Sequence, residues 1–328
     1  MIRYDERMRG FSRSVLFALT LATASTVASA QSPTGAGRPP ALVPDPPAQC
    51  SSCAEWNAPR DPFKVFGNTY YVGPAGVSAL LITTPRGHIL VDTGLQQSAE
   101  VIDRNIRALG FKTTDVKLIL TSHGHYDHVG GVHALQRYTG ATVLASVNTA
   151  RALALGAPVP EDPQAPRSPV DYFPKAENVR VVKDGEVVSL GGVSVTAHYV
   201  PGHTPGATTW TWDACEGTRC LHMVYADSVS SISNDGFRFT GDATHPSLVE
   251  SFRDSIRTVA ALPCDIMIST HPAASNMDEK LKKRAAMTPG SADPMIDPGA
   301  CRALAAGAMT ALEERVKTEL ASPPKPKP

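Results

Sequence analysis

Apolar and polar positions recur along this chain with two different periods. Short apolar runs at Val77–Thr83, His88–Asp92, Lys117–Ser122 and Ala141–Ala145 have the length and bounding turns of strands. So do Val193–Val200, Thr208–Asp213, Leu221–Ala226 and Asp265–Thr270. Helical spacing marks Ser98–Leu109, Val132–Thr139, His245–Leu262 and Ala300–Leu320. The early strands follow one another directly, and βα units come later. This order predicts an α+β fold, an αβ/βα sandwich, and not a purely parallel doubly wound sheet. The chain shows no short-period repeat.

The ends read differently. Residues 31–55 form an expected N-terminal arm or linker, rich in Pro, Gly and Ala over its first part, and residues 323–328 an expected disordered Pro/Lys tail. The domain proper is expected over 56–322. Before the arm, Arg3, Arg7, Arg9 and Arg13 precede an apolar stretch from Val15 to about Ala24 and the small-x-small site Ala28-Ser29-Ala30. These are the three regions of a secretory signal peptide, so cleavage near Ala30 and a periplasmic or secreted product are expected. Cleavage there leaves 298 of the 328 residues.

Composition sharpens this picture only in places. Hydrophobic residues make up 42% and charged residues 19%, a globular balance. The formal charge is zero, from 31 basic and 31 acidic residues, but the leader carries four Arg against Asp5 and Glu6. The mature chain is therefore near −2, which argues against an electrostatic hold on nucleic acid. No apolar run reaches the roughly 18 residues of a membrane span. An exported chain makes its six cysteines candidates for pairing, although six permit fifteen connectivities. Cys215 and Cys220 flank a two-strand turn, Cys264 and Cys301 suit a strand-to-helix tie, and Cys50 and Cys53 form a CxxC in the arm.

The candidate chemistry lies where strands end. Thr121-Ser122-His123-Gly124-His125-Tyr126-Asp127-His128 follows an apolar strand and leads through Gly130-Gly131 toward a helix. Histidine is 10 of 328 residues, so three in one six-residue window with a carboxylate is not a chance pattern. Imidazoles and a carboxylate suit a borderline divalent metal such as zinc. His203, in Pro201-Gly202-His203-Thr204-Pro205-Gly206, and His271, before Pro272, repeat the grammar of strand, donor and turn. Asp92 also ends a strand, either as an acceptor behind a ligand imidazole or as a turn cap. His88, His133, His198, His222 and His245 lack this setting and read as structural or surface residues.

HxHxDH, then Gly-His-Thr-x-Gly, then a strand-end His resemble the metallo-β-lactamase superfamily, over about Trp56 to Leu320. The segments Trp210-Thr211-Trp212, Tyr225-Ala226-Asp227-Ser228, Ala261-Leu262-Pro263-Cys264-Asp265 and Thr270-His271-Pro272 are similar to subclass B3 metallo-β-lactamases. The resemblance implies two zinc ions, one on His123, His125 and His203, the other on Asp127, His128 and His271. It implies hydrolysis of a small-molecule β-lactam by a metal-bound hydroxide, with Asp127 orienting the nucleophile. A monomer is expected, although no sequence feature fixes the oligomeric state. Ser228 and Ser230 match positions that bind the substrate carboxylate or a metal-bound water, and Gln164 matches a substrate-contacting loop residue. Thioesterases and ribonucleases of the superfamily place a bridging Asp near this point; the B3 likeness implies that Asp227 is not a ligand. An exported hydrolase of a thioester or lactone is the alternative activity. Cys215/Cys220 and Cys264/Cys301 match disulfides of relatives. The loop Gly73-Pro74-Ala75-Gly76 lacks the cysteine some relatives have, leaving Cys50 and Cys53 to pair together or stay free.

Overall fold

A computed structural model describes residues 41–165 and 169–322. The expected leader, its cleavage site and the expected tail lie outside the described residues. In chain order the elements begin with helix α1 (Cys53–Trp56), strands β1 (Phe63–Phe66), β2 (Thr69–Tyr71), β3 (Leu80–Thr84) and β4 (Gly87–Val91), and helix α2 (Ser98–Ala108). Next come β5 (Val116–Leu120), α3 (Tyr126–Val129), α4 (Val132–Thr139), β6 (Thr142–Ala145), α5 (Val147–Leu155) and β7 (Val179–Val181). The remainder comprises β8 (Val187–Leu190), β9 (Val193–Tyr199), β10 (Thr208–Glu216), β11 (Arg219–Ala226), α6 (Val249–Ala261), β12 (Ile266–Ser269), α7 (Met277–Ala285) and α8 (Ala300–Ala321).

Two mixed sheets result. The first runs β1-β2-β3-β4-β5-β6-β7 and the second β12-β11-β10-β9-β8. Pairing is antiparallel through β4 and parallel from β4 to β7; in the second sheet only β11 and β12 are parallel. Strand alternation sorts the side chains into layers. Leu80, Ile82, Ile89, Val91 and Leu120 face a core between the sheets, where they meet Trp210, Trp212, Met223, Tyr225 and Ile268. Their neighbours Leu81, Leu90 and Ile119 face the other way, onto Ile102 and Ile106 of α2 and Leu135 of α4. Val224, Ala226 and Met267 pack behind the second sheet against Phe252 and Ile256 of α6 and Ala305 and Leu312 of α8. The layers are thus helices, sheet, sheet, helices, the expected αβ/βα sandwich.

The central tryptophans carry much of the core. Each buried indole removes on the order of 200 Å² from water, an upper bound of about 5 kcal/mol. Their N–H groups are also satisfied, Trp210 Nε1 donating to Thr121 O and Trp212 Nε1 to Thr69 Oγ1, both at 3.0 Å. The first of these bonds ties the second sheet to the start of the histidine loop.

Strands β1, β2, β7 and β8 and helices α1, α3, α5 and α7 add to the elements expected from periodicity. Each missed strand is only three or four residues long, too short for a period to register. Three disulfides join Cys50–Cys53, Cys215–Cys220 and Cys264–Cys301. The described part of the expected arm is held against the domain. Asp45 meets His133 at 3.0 Å, and the Gln97 side chain both accepts from Ala48 N and donates to Ala48 O. Among the described residues no helix is long and apolar enough to cross a membrane.

Candidate metal centre

Parallel strands β4 and β5 end side by side, and β9 and β12 of the other sheet end at the same rim. Loops at such ends converge without disturbing the core. The loop after β5 carries His123 and then His125, whose extended backbone starts the one-turn helix α3. That helix turns Asp127 and His128 inward, and both are buried. His203 enters from the Pro/Gly turn after β9, and His271 from the end of β12.

Asp92, after β4, braces this loop. Its Oδ1 accepts Ser122 N–H at 2.7 Å; its Oδ2 accepts the hydroxyls of Ser122 at 2.6 Å and Tyr225 at 2.9 Å. Its backbone sits in the left-handed region, φ 56°, a conformation that costs about 1–3 kcal/mol outside glycine. The same Oδ2 lies 3.5 Å from His128 Nδ1, so Asp92 stands behind this imidazole, while its hydrogen bonds brace the histidine loop rather than cap its own turn.

The six side chains form two groups. Donor atoms of His123, His125 and His203 lie within 4.8 Å of one another, and so do those of Asp127, His128 and His271. The groups adjoin, with the His123 and His128 rings 4.3 Å apart between centroids.

Four of the imidazoles are anchored by one nitrogen. His123 Nδ1–H donates to Asp227 Oδ1 at 2.6 Å, His203 Nδ1–H to Ser230 O at 3.1 Å, and His271 Nδ1–H to Gly76 O at 3.1 Å. His125 is turned the other way, with Nε2 against the Asp162 carboxylate at 3.2 and 3.3 Å. Such contacts fix tautomer and ring orientation and leave the second nitrogen for a cation. His123 Nε2 is buried with no hydrogen-bond partner, a costly arrangement that a metal would relieve. Five imidazoles and one carboxylate, without thiolate, fit zinc.

Residues 72–271 match the model of the metallo-β-lactamase superfamily. The chain belongs to the metallo-β-lactamase superfamily. Among solved structures it is similar to the Rm3 metallo-β-lactamase, with 47% identity, a TM-score of 0.79, and coverage of 83% of this chain and 99% of that one. It is also similar to MEM-A1, a subclass B3 metallo-β-lactamase from a soil metagenome library, with 47% identity, a TM-score of 0.77, and coverage of 81% and 99%. Among curated proteins it is similar to a hydroxyacylglutathione hydrolase of Anaeromyxobacter dehalogenans, 35% identical over 95 residues. That match spans 29% of this chain and 28% of the curated protein's length.

The electrostatics of this superfamily centre make His123, His203 and Asp127 ready to ligate, whereas carboxylates favour the protonated forms of His125 and His128, which would release their protons on binding a metal. Burial and the neighbouring His128 hold His123 well below its ordinary pKa, so it is neutral. Burial and His125 push His203 down to about 3. Burial opposes ionising Asp127, but His128 and His271 outweigh it and keep the carboxylate well below its usual range. Burial likewise opposes charge on His128, and Asp127 and Asp92 overcome it, raising it to about 10. For His125, burial is again outweighed, here by Asp162. Asp227 is pushed up to about 8, by burial and then by Asp92. A cation on the far side of His123 would favour its ionised form.

The residues expected to meet substrate lie at this rim. Ser228 Oγ is 2.9 Å from Thr270 Oγ1, and Gln164 Nε2 is 3.4 Å from His203 Nε2. Ser230 differs from a free substrate donor: its hydroxyl contacts the outer face of His203, 3.0 Å from Nδ1. Asp162, Asp227 and Trp56 are the residues that sequence reasoning missed in these roles. The Trp56 ring packs on His271 at 5.2 Å between centroids. Asp162 stands two residues before Gln164, yet a lone acidic residue in a Pro-containing loop carries no pattern that marks it as an imidazole partner.

Proposed function

We propose that this protein is an exported zinc hydrolase that opens the β-lactam amide of penicillins, cephalosporins and carbapenems. The observation that carries the reading is the pair of adjoining donor groups, in which four of the five imidazoles are anchored on one side. His123, His125 and His203 would hold one zinc ion, and Asp127, His128 and His271 the other. Bound there, zinc supplies Lewis acidity and lowers the pKa of water from ~16 toward ~7.

The chain's own residues do the remainder. Asp127 stays ionised and would orient the attacking water by accepting a hydrogen bond at its carboxylate. Ser228, beside Thr270, offers a hydroxyl to the substrate carboxylate, and Gln164 offers an amide N–H at the opposite lip. Asp227 and Asp162 hold two imidazoles of the first group, His123 and His125, and the Ser230 carbonyl holds the third, His203. The three disulfides and the basic leader support a periplasmic or extracellular location.

The alternative activity, on a thioester or lactone, has distant support from the similarity to a hydroxyacylglutathione hydrolase over 28% of that protein's length. Rates for a carbapenem, a glutathione thioester and a homoserine lactone, measured on zinc-loaded protein, separate the two. Carbapenem turnover abolished by chelator and restored by zinc is expected. Turnover confined to the thioester or lactone overturns the β-lactam reading, and undiminished turnover after complete zinc removal overturns the metal assignment.

A further inference from the structure

Beside the metal centre lies a groove of about 660 Å³, within the 300–1,000 Å³ usual for small-molecule sites. It is not the metal cleft itself, because His123, His125, His203, Asp127 and His128 do not line it. It meets the centre at Ser228, Thr270 and His271, then runs between the loop after β11 and helix α8. Its further lining is mostly apolar, including Val229, Ile232, Met267, Leu304 and Ala308. Ile232 is 59% exposed, an apolar side chain left in water at the groove's edge. Gly307 of α8 also lines it. This glycine sits inside a 22-residue helix without positive φ, where it costs about 1 kcal/mol relative to alanine. No neighbour demands it, since a Cβ there would meet nothing within 4 Å. What its missing side chain provides is room in the groove.

We propose that this groove is a substituent-binding subsite for cephalosporins that carry a bulky apolar group, such as an aryl thioether, on the ring carbon next to the carboxylate-bearing one. The inference rests on the β-lactam reading above. The carboxylate and this substituent occupy adjacent ring carbons, so a carboxylate held at Ser228, which lines the groove, puts the substituent within reach of the groove mouth. Apolar surface leaving water against Ile232 and Leu304 then adds binding that a methyl group at the same carbon forgoes. The substituent's electronic effect on the lactam nitrogen is the same in every variant, so the groove's own contribution is read as the change that filling the groove makes in the aryl compound's KM.

The test compares two cephalosporins that differ only in this substituent, methyl or aryl thioether, on zinc-loaded wild-type, Gly307→Phe and Gly307→Ala proteins. Wild type should show a KM about tenfold lower for the aryl compound, the scale of a modest hydrophobic contact. Gly307→Phe fills the groove and should remove that advantage, leaving kcat and the methyl compound's constants unchanged. Gly307→Ala, which adds helix propensity with little bulk, should keep it. Ala303→Phe, on the same exposed lining, supplies a second filled variant if Gly307→Phe does not fold. Equal KM values in wild type, or an aryl preference that survives filling, overturns the subsite alone. Hydrolysis of neither compound by zinc-loaded wild type overturns the subsite, and the β-lactam reading falls with it if a carbapenem is not hydrolysed either.

Discussion

Asp227→Asn is nearly isosteric, yet it should loosen the first metal group through an imbalance of donors. Asp227 Oδ1 accepts His123 Nδ1–H at 2.6 Å and Ser228 N–H at 2.7 Å, while Oδ2 accepts Thr208 N–H at 3.1 Å. All three partners donate. An asparagine can keep its oxygen toward His123 and Ser228 only by setting its NH₂ against Thr208 N–H; flipped, it sets NH₂ against His123. Loss of a carboxylate behind a ligand histidine typically costs 10–100-fold in metal affinity. That is about 1.4–2.7 kcal/mol of zinc binding. A buried N–H left without an acceptor adds about 1–3 kcal/mol of lost stability. Competition with a chromogenic chelator would read the affinity of each zinc site, and chemical denaturation of the metal-free protein would read the fold. Weakening confined to one zinc, with a measurable stability loss, is expected. Wild-type affinity at both sites in Asp227→Asn would refute the claim that this carboxylate sets the orientation of His123.

Three other outcomes follow from the fold. Replacing Cys264 and Cys301 together by Ala should cost ~4 kcal/mol and the Cys215/Cys220 pair ~2 kcal/mol, from loop separations of 37 and 5 residues, as read by urea denaturation; the reverse ranking would refute the loop-entropy account. Gly202→Ala places a Cβ 2.1 Å from the buried Phe252 ring. It should lose about 1–3 kcal/mol by overpacking and reduce zinc occupancy through the adjacent His203; a wild-type melting temperature would show that the turn relaxes freely. Glu319 is a depressed carboxylate: burial opposes its charge, but Thr240 N–H and Arg315 outweigh it, with the Thr240 hydroxyl and Phe239 N–H. A depressed pKa contributes stability above the unfolded value near ~4.3 that is lost as pH falls through the folded value. Glu319→Gln should therefore be less stable than wild type at pH 7, with the gap closing below about pH 4; a gap independent of pH would show that shape, not charge, matters there.

The layers of the fold were legible because β-strand alternation is local. Leu80 and Ile82 point one way and Leu81 the other whatever the partner strand is. The short strands β7 and β8 were not legible. Their side chains are mostly exposed, and neighbours β6 and β9 recruit their backbones through hydrogen bonds that leave no hydrophobic trace. Helix α5 shows a related gap. Ser146 caps its start, accepting from Thr149 N, and left-handed Gly156 ends it, but its apolar residues spread around the helix instead of forming one stripe.

By itself the sequence determined the donor set. Four of the six donors fall within six residues, and His203 and His271 each follow a strand and precede a turn, so a local pattern identifies them. Tertiary structure alone decided how those donors are held. Asp227 lies 104 residues from the His123 it orients, Asp162 37 residues from His125, and the Gly76 carbonyl 195 residues from His271. A lone carboxylate or a backbone carbonyl has no periodicity and no motif; it acquires its role only when packing brings distant chain ends within 3.5 Å. The same holds for the groove beside the centre, which exists because α8 and the loop after β11 pack without closing on one another.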